Sequence, residues 1–215
     1  KVEVDDTKIG NRLEFRSHRL DGSNPENSVV DYEVQVPADA SVMVHSTNGP
    51  LRAQQLHADV TMEGDTAVVD IREVSDAHVH VNTLTGPITL TNIRNGHVEI
   101  SSVGGDVILN GVSGPLVAVT STKGKIQYNG DFGNGGEYKL SSHSGDIEAT
   151  IPAAASFDVR AHSVRGSLEN DFPLQPKTHN SFLPDKGHFF VGTAGKAASS
   201  VLLRTISGKI LLKKR

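Results

Sequence analysis

Hydrophobic and polar positions repeat along most of the chain with a period of about 19 residues. In each copy two alternating apolar positions lead to a Ser or Thr, and a Gly precedes a second alternating stretch. The copies are VMVHSTNGPLRA from Val42, VHVNTLTGPITL from Val79, VEISSVGGDVIL from Val98, VAVTSTKGKIQY from Val117, YKLSSHSGDIEA from Tyr138 and VLLRTISGKILL from Val201. Because a period of two is typical of β-strands, each copy predicts two short strands joined by a turn.

The glycines between the paired strands mark the repeat most clearly. Gly86, Gly105 and Gly124 follow one another at intervals of 19 residues. A degenerate copy starts at Val60, and a copy from Phe157 carries two extra residues before its Gly. A corner of this kind needs a positive φ or close packing, both of which Gly allows. The predicted turn glycines are Gly49, Gly86, Gly105, Gly124, Gly145, Gly166 and Gly208.

Strands this short are not stable as isolated hairpins, but stacked copies bury a continuous aliphatic core. We therefore predict an all-β chain that forms a right-handed parallel β-solenoid, with coils of about 19–21 residues and a rise of about 4.8 Å per coil. The inward positions should form ladders in chain order. One such predicted ladder contains Val79, Val98, Val117, Tyr138 and Phe157.

The two ends depart from the repeat. Residues 1–40 contain the segments KVEV, RLEFRS and VVDYEVQV, which we interpret as an N-terminal β cap over the first coil. Residues 41–215 form the predicted solenoid, with an irregular excursion at 173–199. That excursion contains the strand HFFVG and is interpreted as a hydrophobic lid. Phe182, Phe189 and Phe190 make it the alternative place for a pocket built from loops.

With the repeat laid out, the chain resembles the bacterial adhesin-like domains of unknown function that are related to auto-transporter adhesin head-like β-solenoids. The segments that carry the resemblance are YEVQVPADASVMVHSTNGPL from Tyr32, IPAAASFDVRAHSVRGSLENDFP from Ile151 and VLLRTISGKILLKK from Val201, together with the serial Gly turns. The resemblance covers about residues 28–215. It implies an exported or envelope-associated location and an adhesion or surface-contact role, and it implies no catalytic residues.

Composition narrows the function classes. The net charge of -4 gives no general reason to expect a nucleic-acid partner. No apolar run approaches the roughly 18 residues of a membrane span. The absence of Cys excludes disulfides and thiolate chemistry. Because the chain opens at Lys1 without a Met or signal peptide, we expect a processed piece of an exported protein.

The stretch LSSHSGDIEA holds the residue types of a hydrolase triad in Ser142, His143, Ser144 and Asp146. The repeat explains them differently, since Ser142 occupies the Ser/Thr slot of every coil and its hydroxyl can bond to the turn backbone. Strand alternation also sends Ser142 and His143 to opposite faces, whereas a triad needs mutual hydrogen bonds. We therefore predict no catalytic site and no cofactor.

Outward histidines are the remaining candidate chemistry. His78 and His97 are 19 residues apart, as are His80 and Glu99, so all four should lie on neighbouring coils. Two imidazoles and a carboxylate could bind a divalent metal such as zinc, although no sequential ligand motif supports this. The preferred interpretation is a solvated polar ladder. His143 and His162 are predicted to form a second pair of the same kind.

Three functions follow as hypotheses. The first is a non-catalytic adhesin-like or scaffold module, which contacts a protein or cell surface through flat ladder faces. The second is a glycan-binding or polysaccharide-active β-helix, which would need exposed rings or clustered acids. The third is a structural unit that self-associates through its edge strands.

Overall fold

The computed structural model describes residues 2–20, 29–133, 135–175 and 188–215. Within these residues the chain forms strands and no helix. The strands are β1 Val2–Ile9, β2 Arg12–Arg19, β3 Val42–Leu56, β4 Val60–Ser75, β5 His78–Thr85, β6 Ile88–Arg94, β7 His97–Ser102, β8 Val107–Asn110, β9 Leu116–Ser121, β10 Ile126–Asn129, β11 Glu137–Ser142, β12 Ile147–Ile151, β13 Phe157–Ser163, β14 Leu168–Asn170, β15 Phe189–Ala194, β16 Ser199–Thr205 and β17 Ile210–Lys214.

The chain divides into two compact units, Lys1–Val36 and Pro37–Arg215. In the first unit, β1 and β2 form an antiparallel hairpin in which Ile9 is the partner of Arg12. Gly10 in its tight turn has a φ of +60°, a conformation that favours Gly. The third extended segment predicted here lies in no strand over its described residues, 29–36. The assignment of residues 1–40 as a cap on the first coil stays a prediction.

The second unit is the predicted parallel β-solenoid. Strands one period apart pair in parallel and in register, so that Val60 lies beside Val79 and Val79 beside Val98. β3 and β4 are long enough to turn a corner, and each supplies both strands of its coil. The next four coils are β5–β6, β7–β8, β9–β10 and β11–β12. Six coils thus follow one another in chain order, as the 19-residue period predicts.

The strands form two columns. The first column has the order β3, β4, β5, β7, β9, β11, β16, β13, β15, and the second has β3, β4, β6, β8, β10, β12, β17, β14. Inward residues of both columns form one continuous core, with Val79, Val98 and Ile88 each at most 1% exposed. Burial of this aliphatic ladder is the main favourable term in folding.

The far end of the solenoid corrects the predicted order of coils. The C-terminal coil, β16–β17, is not the last one. It lies between β11–β12 and β13–β14, because β16 pairs in parallel with both β11 and β13 and β17 pairs with both β12 and β14. β15 then pairs antiparallel with β13 at the end of the first column.

The predicted ladder from Val79 to Phe157 is therefore wrong at its last step. Tyr138 lies beside Val201, which lies beside Val159, while Phe157 is the partner of Ser199. The two extra residues thus stand at the start of β13 rather than before Gly166. The physical reason is the turn: the N–H of Gly166 donates to Ser163 Oγ at 2.9 Å, the same three-residue spacing as in the other coils.

Aromatic side chains collect inside this end of the solenoid. Phe132 stacks on Tyr128 with ring centroids 4.9 Å apart, and its ring lies 5.3 Å from that of Phe157. Phe172 continues the cluster at 5.2 Å from Phe157, and Tyr138 is fully buried beside it. Each buried ring removes a large apolar area from water.

The predicted excursion at 173–199 is described only in part. It contains β15 and, at its end, the first residue of β16. Phe190 packs against the core and Phe189 is half-buried. The interpretation of the excursion as a hydrophobic lid stays a prediction. Phe182 lies outside the described residues.

Candidate interaction surface

The predicted turn glycines are explained mainly by close packing. A Cβ on Gly105, Gly124, Gly145, Gly208 or Gly166 would lie less than 3.0 Å from the backbone of the adjacent coil. These glycines therefore form one column in which successive coils touch through their backbones.

Positive φ matters at only two of the seven turn glycines. Gly49 has a φ of +98° with no atom near its Cβ position, and Gly86 has a φ of +108°. Gly86 also meets the backbone of Ala67, so its position combines both requirements.

At this turn the degenerate second coil has Gly in place of the Ser/Thr and Ala in place of the Gly. Gly64 stands where the neighbouring coil has Thr83, and Ala67 stands in the glycine column. A Cβ on Gly64 would collide with the Ala67 methyl group, which therefore fills the space left by the missing Ser/Thr side chain. The repeat survives because the lost volume and the gained volume are adjacent.

The triad-like residues of LSSHSGDIEA have structural hydrogen bonds. Ser142 is buried, and its Oγ accepts the N–H of Gly145 at 2.8 Å. Asp146 Oδ1 accepts the N–H of Lys209 on the adjacent C-terminal coil at 2.7 Å, and Ser144 Oγ donates to Thr122 O at 3.1 Å. The hydroxyls and the carboxylate thus hold the turn and its neighbouring coils together.

Asp106 repeats the role of Asp146. Its Oδ1 accepts the N–H of Lys125 on the next coil at 2.8 Å. The sequence signal was present, since both carboxylates directly follow a turn Gly. Sequence reasoning considered Asp146 as the acid of a triad and missed this bond between coils.

The metal-candidate residues do come together. His78 and His97 lie on adjacent strands with ring centroids 4.9 Å apart. Glu99 lies between two imidazoles, with Oε1 3.2 Å from His97 Nε2 and Oε2 3.7 Å from His80 Nδ1. Within the described ranges, no group of three or more His, Asp or Glu side chains is arranged to hold a metal ion. The geometry is that of a polar ladder in which a carboxylate contacts the imidazoles on both sides.

These side chains line a surface groove of about 350 Å³, together with Asp59 and Thr61. Asp59 Oδ1 accepts the N–H of His78 at 3.0 Å, which ties the groove wall to the next strand. The Glu99 side chain keeps 52% of its exposure, so it remains accessible to a partner.

The second predicted histidine pair is not formed. His162 lies beside Arg204, and Arg204 lies beside Ser141, because the C-terminal coil separates β13 from β11. The His162 ring instead contacts Phe189, with ring centroids 5.9 Å apart. His143 is exposed at the corner after β11.

We call the outward side chains of the first column the first face. Near β3, β4, β5 and β7 it carries carboxylates and histidines: Glu63, Glu99, His45, His78, His80 and His97. Near β11, β16 and β13 it carries three cations, Lys139, Arg204 and Arg160, with Glu137 and Asp158. The strand between them, β9, presents Leu116, Ala118 and Thr120.

The outer face of the second column contains a charged ladder that joins coils. Glu148 Oε2 lies 2.8 Å from Lys125 Nζ on one side, and Glu148 Oε1 lies 2.7 Å from Lys213 Nζ on the other. Hydrogen bonds from Lys125 and Lys213 lower the pKa of Glu148 from 4.5 to about 2. The same pairing raises the pKa of Lys213. Since Lys213 belongs to the inserted coil, this ladder fastens that coil to the β11–β12 coil.

The described residues contain no helix that could cross a membrane. Fold and surface together define a β-solenoid repeat protein with chemically patterned sheet faces. The family model of Toastrack DUF4097 matches residues 4–213, and the chain belongs to that family, a domain of unknown function. No curated protein and no solved structure gives a significant match.

Proposed function

We propose that the chain is a non-catalytic contact module, adhesin-like or scaffolding, that works on the exported side of a bacterial cell. The observation that carries this proposal is the first face, an exposed and charge-patterned surface spanning the strands from β3 to β15. Repeat proteins commonly bind through extended faces of this kind. The resemblance to adhesin-like solenoids supports the exported location.

The roles of the polar residues favour contact over catalysis. Ser142, which would be the nucleophile of a triad, accepts a backbone N–H inside the turn. The acid of that triad, Asp146, accepts a backbone N–H of the adjacent coil. Nucleophilic catalysis needs a hydroxyl held by a general base, and these bonds serve the solenoid instead.

In the solenoid unit most of the described rings are buried, which favours a protein or surface partner over a glycan platform, whereas Phe15 and Tyr32 of the first unit are exposed. Five aromatic side chains, Tyr128, Phe132, Tyr138, Phe157 and Phe172, lie in the core. A platform for stacking sugars needs rings on the surface.

Binding of the labelled chain to isolated cell envelopes tests the proposal. We expect saturable binding that weakens at least tenfold when Arg160→Glu and Arg204→Glu are combined, because a charged face is thereby reversed. Arg94→Glu is the matched control, since Arg94 is exposed at the end of β6, in the second column.

Equal binding by the reversed variant and the control would contradict a role for the first face. Cleavage of a polysaccharide by the purified chain would contradict the non-catalytic proposal. Fractionation of cells that express the full-length gene tests the location, and a cytosolic product would overturn that part.

A further inference from the structure

The strands of the first face are arranged evenly about its middle strand, and the two sides differ in their charged groups. β9 lies at its middle, with four strands on each side in the order β3, β4, β5, β7 and β11, β16, β13, β15. The central side chains Leu116, Ala118 and Thr120 carry no charge and are small or medium in size. Glu63, Glu99 and four histidines lie on one side of β9, and the three cations lie on the other side together with Glu137, Asp158 and His162.

We propose that this face docks a second copy of the chain, around a two-fold axis that runs parallel to β9. The inference rests on the proposed function of the first face as a contact surface, and it names the partner. A two-fold axis parallel to the strands reverses the order of the strands. Each outward residue then lies opposite a residue at the same position along its own strand. β7 of one copy therefore faces β11 of the other, and β5 faces β16.

The residues that this arrangement brings together are complementary near the centre. Glu99 and Lys139 lie at the same position along their strands, because both align with Ala118 of β9. In the same way, His97 and Glu137 both align with Leu116 of β9. The two-fold axis places Glu99 opposite Lys139 and His97 opposite Glu137, and it makes each contact twice. Within one copy Lys139 Nζ already lies 3.0 Å from Glu137 Oε1 and His97 Nε2 lies 3.2 Å from Glu99 Oε1, so docking joins these two pairs into one network. The opposed charges of Glu99 and Lys139 fix orientation as well as affinity.

The outer parts of the face fit the same arrangement. Asn82 of β5 faces Arg204 of β16, and Glu63 of β4 faces His162 of β13. At the edges, exposed Met43 of β3 faces Val191 of β15. The first two pairs are able to form hydrogen bonds, and the third is apolar.

One like-charged contact remains, between Asp59 and Asp158. Each carboxylate is already engaged within its own copy. Asp59 accepts the N–H of His78, and Asp158 accepts the hydroxyl of Thr193 at 2.5 Å. Both lie toward one margin of the face, where water screens charge.

The size of the face suits a dimer of moderate affinity. Nine strands spaced about 4.8 Å apart, each presenting about five residues of 3.3 Å, give roughly 600 Å² per copy. The total of roughly 1,200 Å² lies at the lower end of the range for specific interfaces.

Sedimentation equilibrium of the full chain over a concentration series tests the proposal through charge reversal. We expect the wild type to dimerise, and both Glu99→Lys and Lys139→Glu to weaken the dimer at least tenfold, because each change creates two like-charged contacts. The double variant should restore dimerisation. An equimolar mixture of the two single variants should also form a heterodimer, since both of its contacts are again opposite in charge.

Thermal melts of each variant separate loss of docking from loss of folding, and Arg94→Glu serves as the control that should dimerise like the wild type. A wild type that stays monomeric at millimolar concentration overturns the inference, as does a dimer insensitive to both reversals. A monomer that still binds envelopes through the first face would overturn the inference alone and leave the proposed function standing. A dimer that does not bind envelopes would overturn the proposed function and leave the inference standing.

Discussion

The six coils in chain order and the exchanged end of the solenoid use the same repeat in different ways. From β3 to β12, each coil lies on the one before it, and its core is largely Val, Ile and Leu. At the exchanged end, the coil made last by the chain is inserted between β11–β12 and β13–β14. Aromatic rings fill the core where the two regions meet, from Tyr128 and Phe132 to Phe157. The repeat therefore fixes the contacts between coils and leaves their order open.

The exchange also shapes the surface. Arg204 reaches the first face on β16, and Arg160 lies on the adjacent β13. With Lys139 on β11, these residues make the cationic side of the face. Without the insertion, β13 would follow β11 directly and the spacing of positive charge along the face would change. The order of coils thus bears directly on the proposed contact.

The largest effect should come from removing the inserted coil. A chain that ends at Ala198 lacks β16 and β17, so β11, β12, β13 and β14 each lose a paired edge. We expect the cooperative unfolding transition of the whole solenoid to be lost. Circular dichroism during a urea titration measures this transition. A transition with unchanged midpoint would show that the inserted coil is peripheral.

The next effect tests the backbone contacts that both regions share. Gly145→Ala would place a Cβ against the carbonyl of Gly124, and rigid backbone on both sides leaves little room to adjust. We expect a loss of about 3 kcal/mol or more in the free energy of unfolding. Gly49→Ala is the control, because only its positive φ opposes the change, at about 1 kcal/mol. If Gly145→Ala and Gly49→Ala lose the same free energy of unfolding in urea titrations, close backbone packing does not explain the Gly at position 145.

The charged ladder that holds the inserted coil predicts a pH dependence. The folded-state pKa of Glu148 is about 2, below its ordinary value of 4.5, so its carboxylate stabilises the fold above pH 4.5. That contribution is lost as the pH falls from 4.5 toward 2. Allowing for solvent screening of the partly exposed lysines, we expect about 2 kcal/mol. In Glu148→Gln this part of the acid sensitivity of the urea midpoint should disappear, and an unchanged pH profile would refute the assignment.

The smallest effect distinguishes a structural serine from a catalytic one. Ser142→Ala leaves the N–H of Gly145 without its acceptor, which should cost about 1 kcal/mol in the free energy of unfolding. His143→Ala is the neighbouring control and should change stability by less than about 0.5 kcal/mol, because His143 is exposed. A destabilised His143 variant beside an unaffected Ser142 variant would reverse the roles given to them.

The sequence predicted the coils and the order of the first six, but not the order at the far end, for a physical reason. Periodic apolar positions such as Val79 and Val98 report which strands can be neighbours, because every coil presents the same inward pattern. β11 therefore accepts β16 as readily as β13. The register of β13 was open to better prediction, since Ser163 and Gly166 keep the three-residue spacing of every other turn.

The candidate surface was predicted in part. The His78, His80, His97 and Glu99 cluster follows from 19-residue spacing alone and was found as expected. The cationic side of the face could not be found in this way. Arg204 and Arg160 come from different coils of the exchanged end, and only the insertion makes them neighbours.

Disulfide trapping tests the inserted coil most directly, because the chain contains no native Cys. In-register neighbours on adjacent strands are about 4.8 Å apart, within the range that a disulfide spans, and residues two strands apart are not. The pair Ser141→Cys with Arg204→Cys should therefore oxidise rapidly within one chain, and Ser141→Cys with His162→Cys should not. Efficient bonding of the second pair and failure of the first would show that the coils follow chain order, contradicting the account.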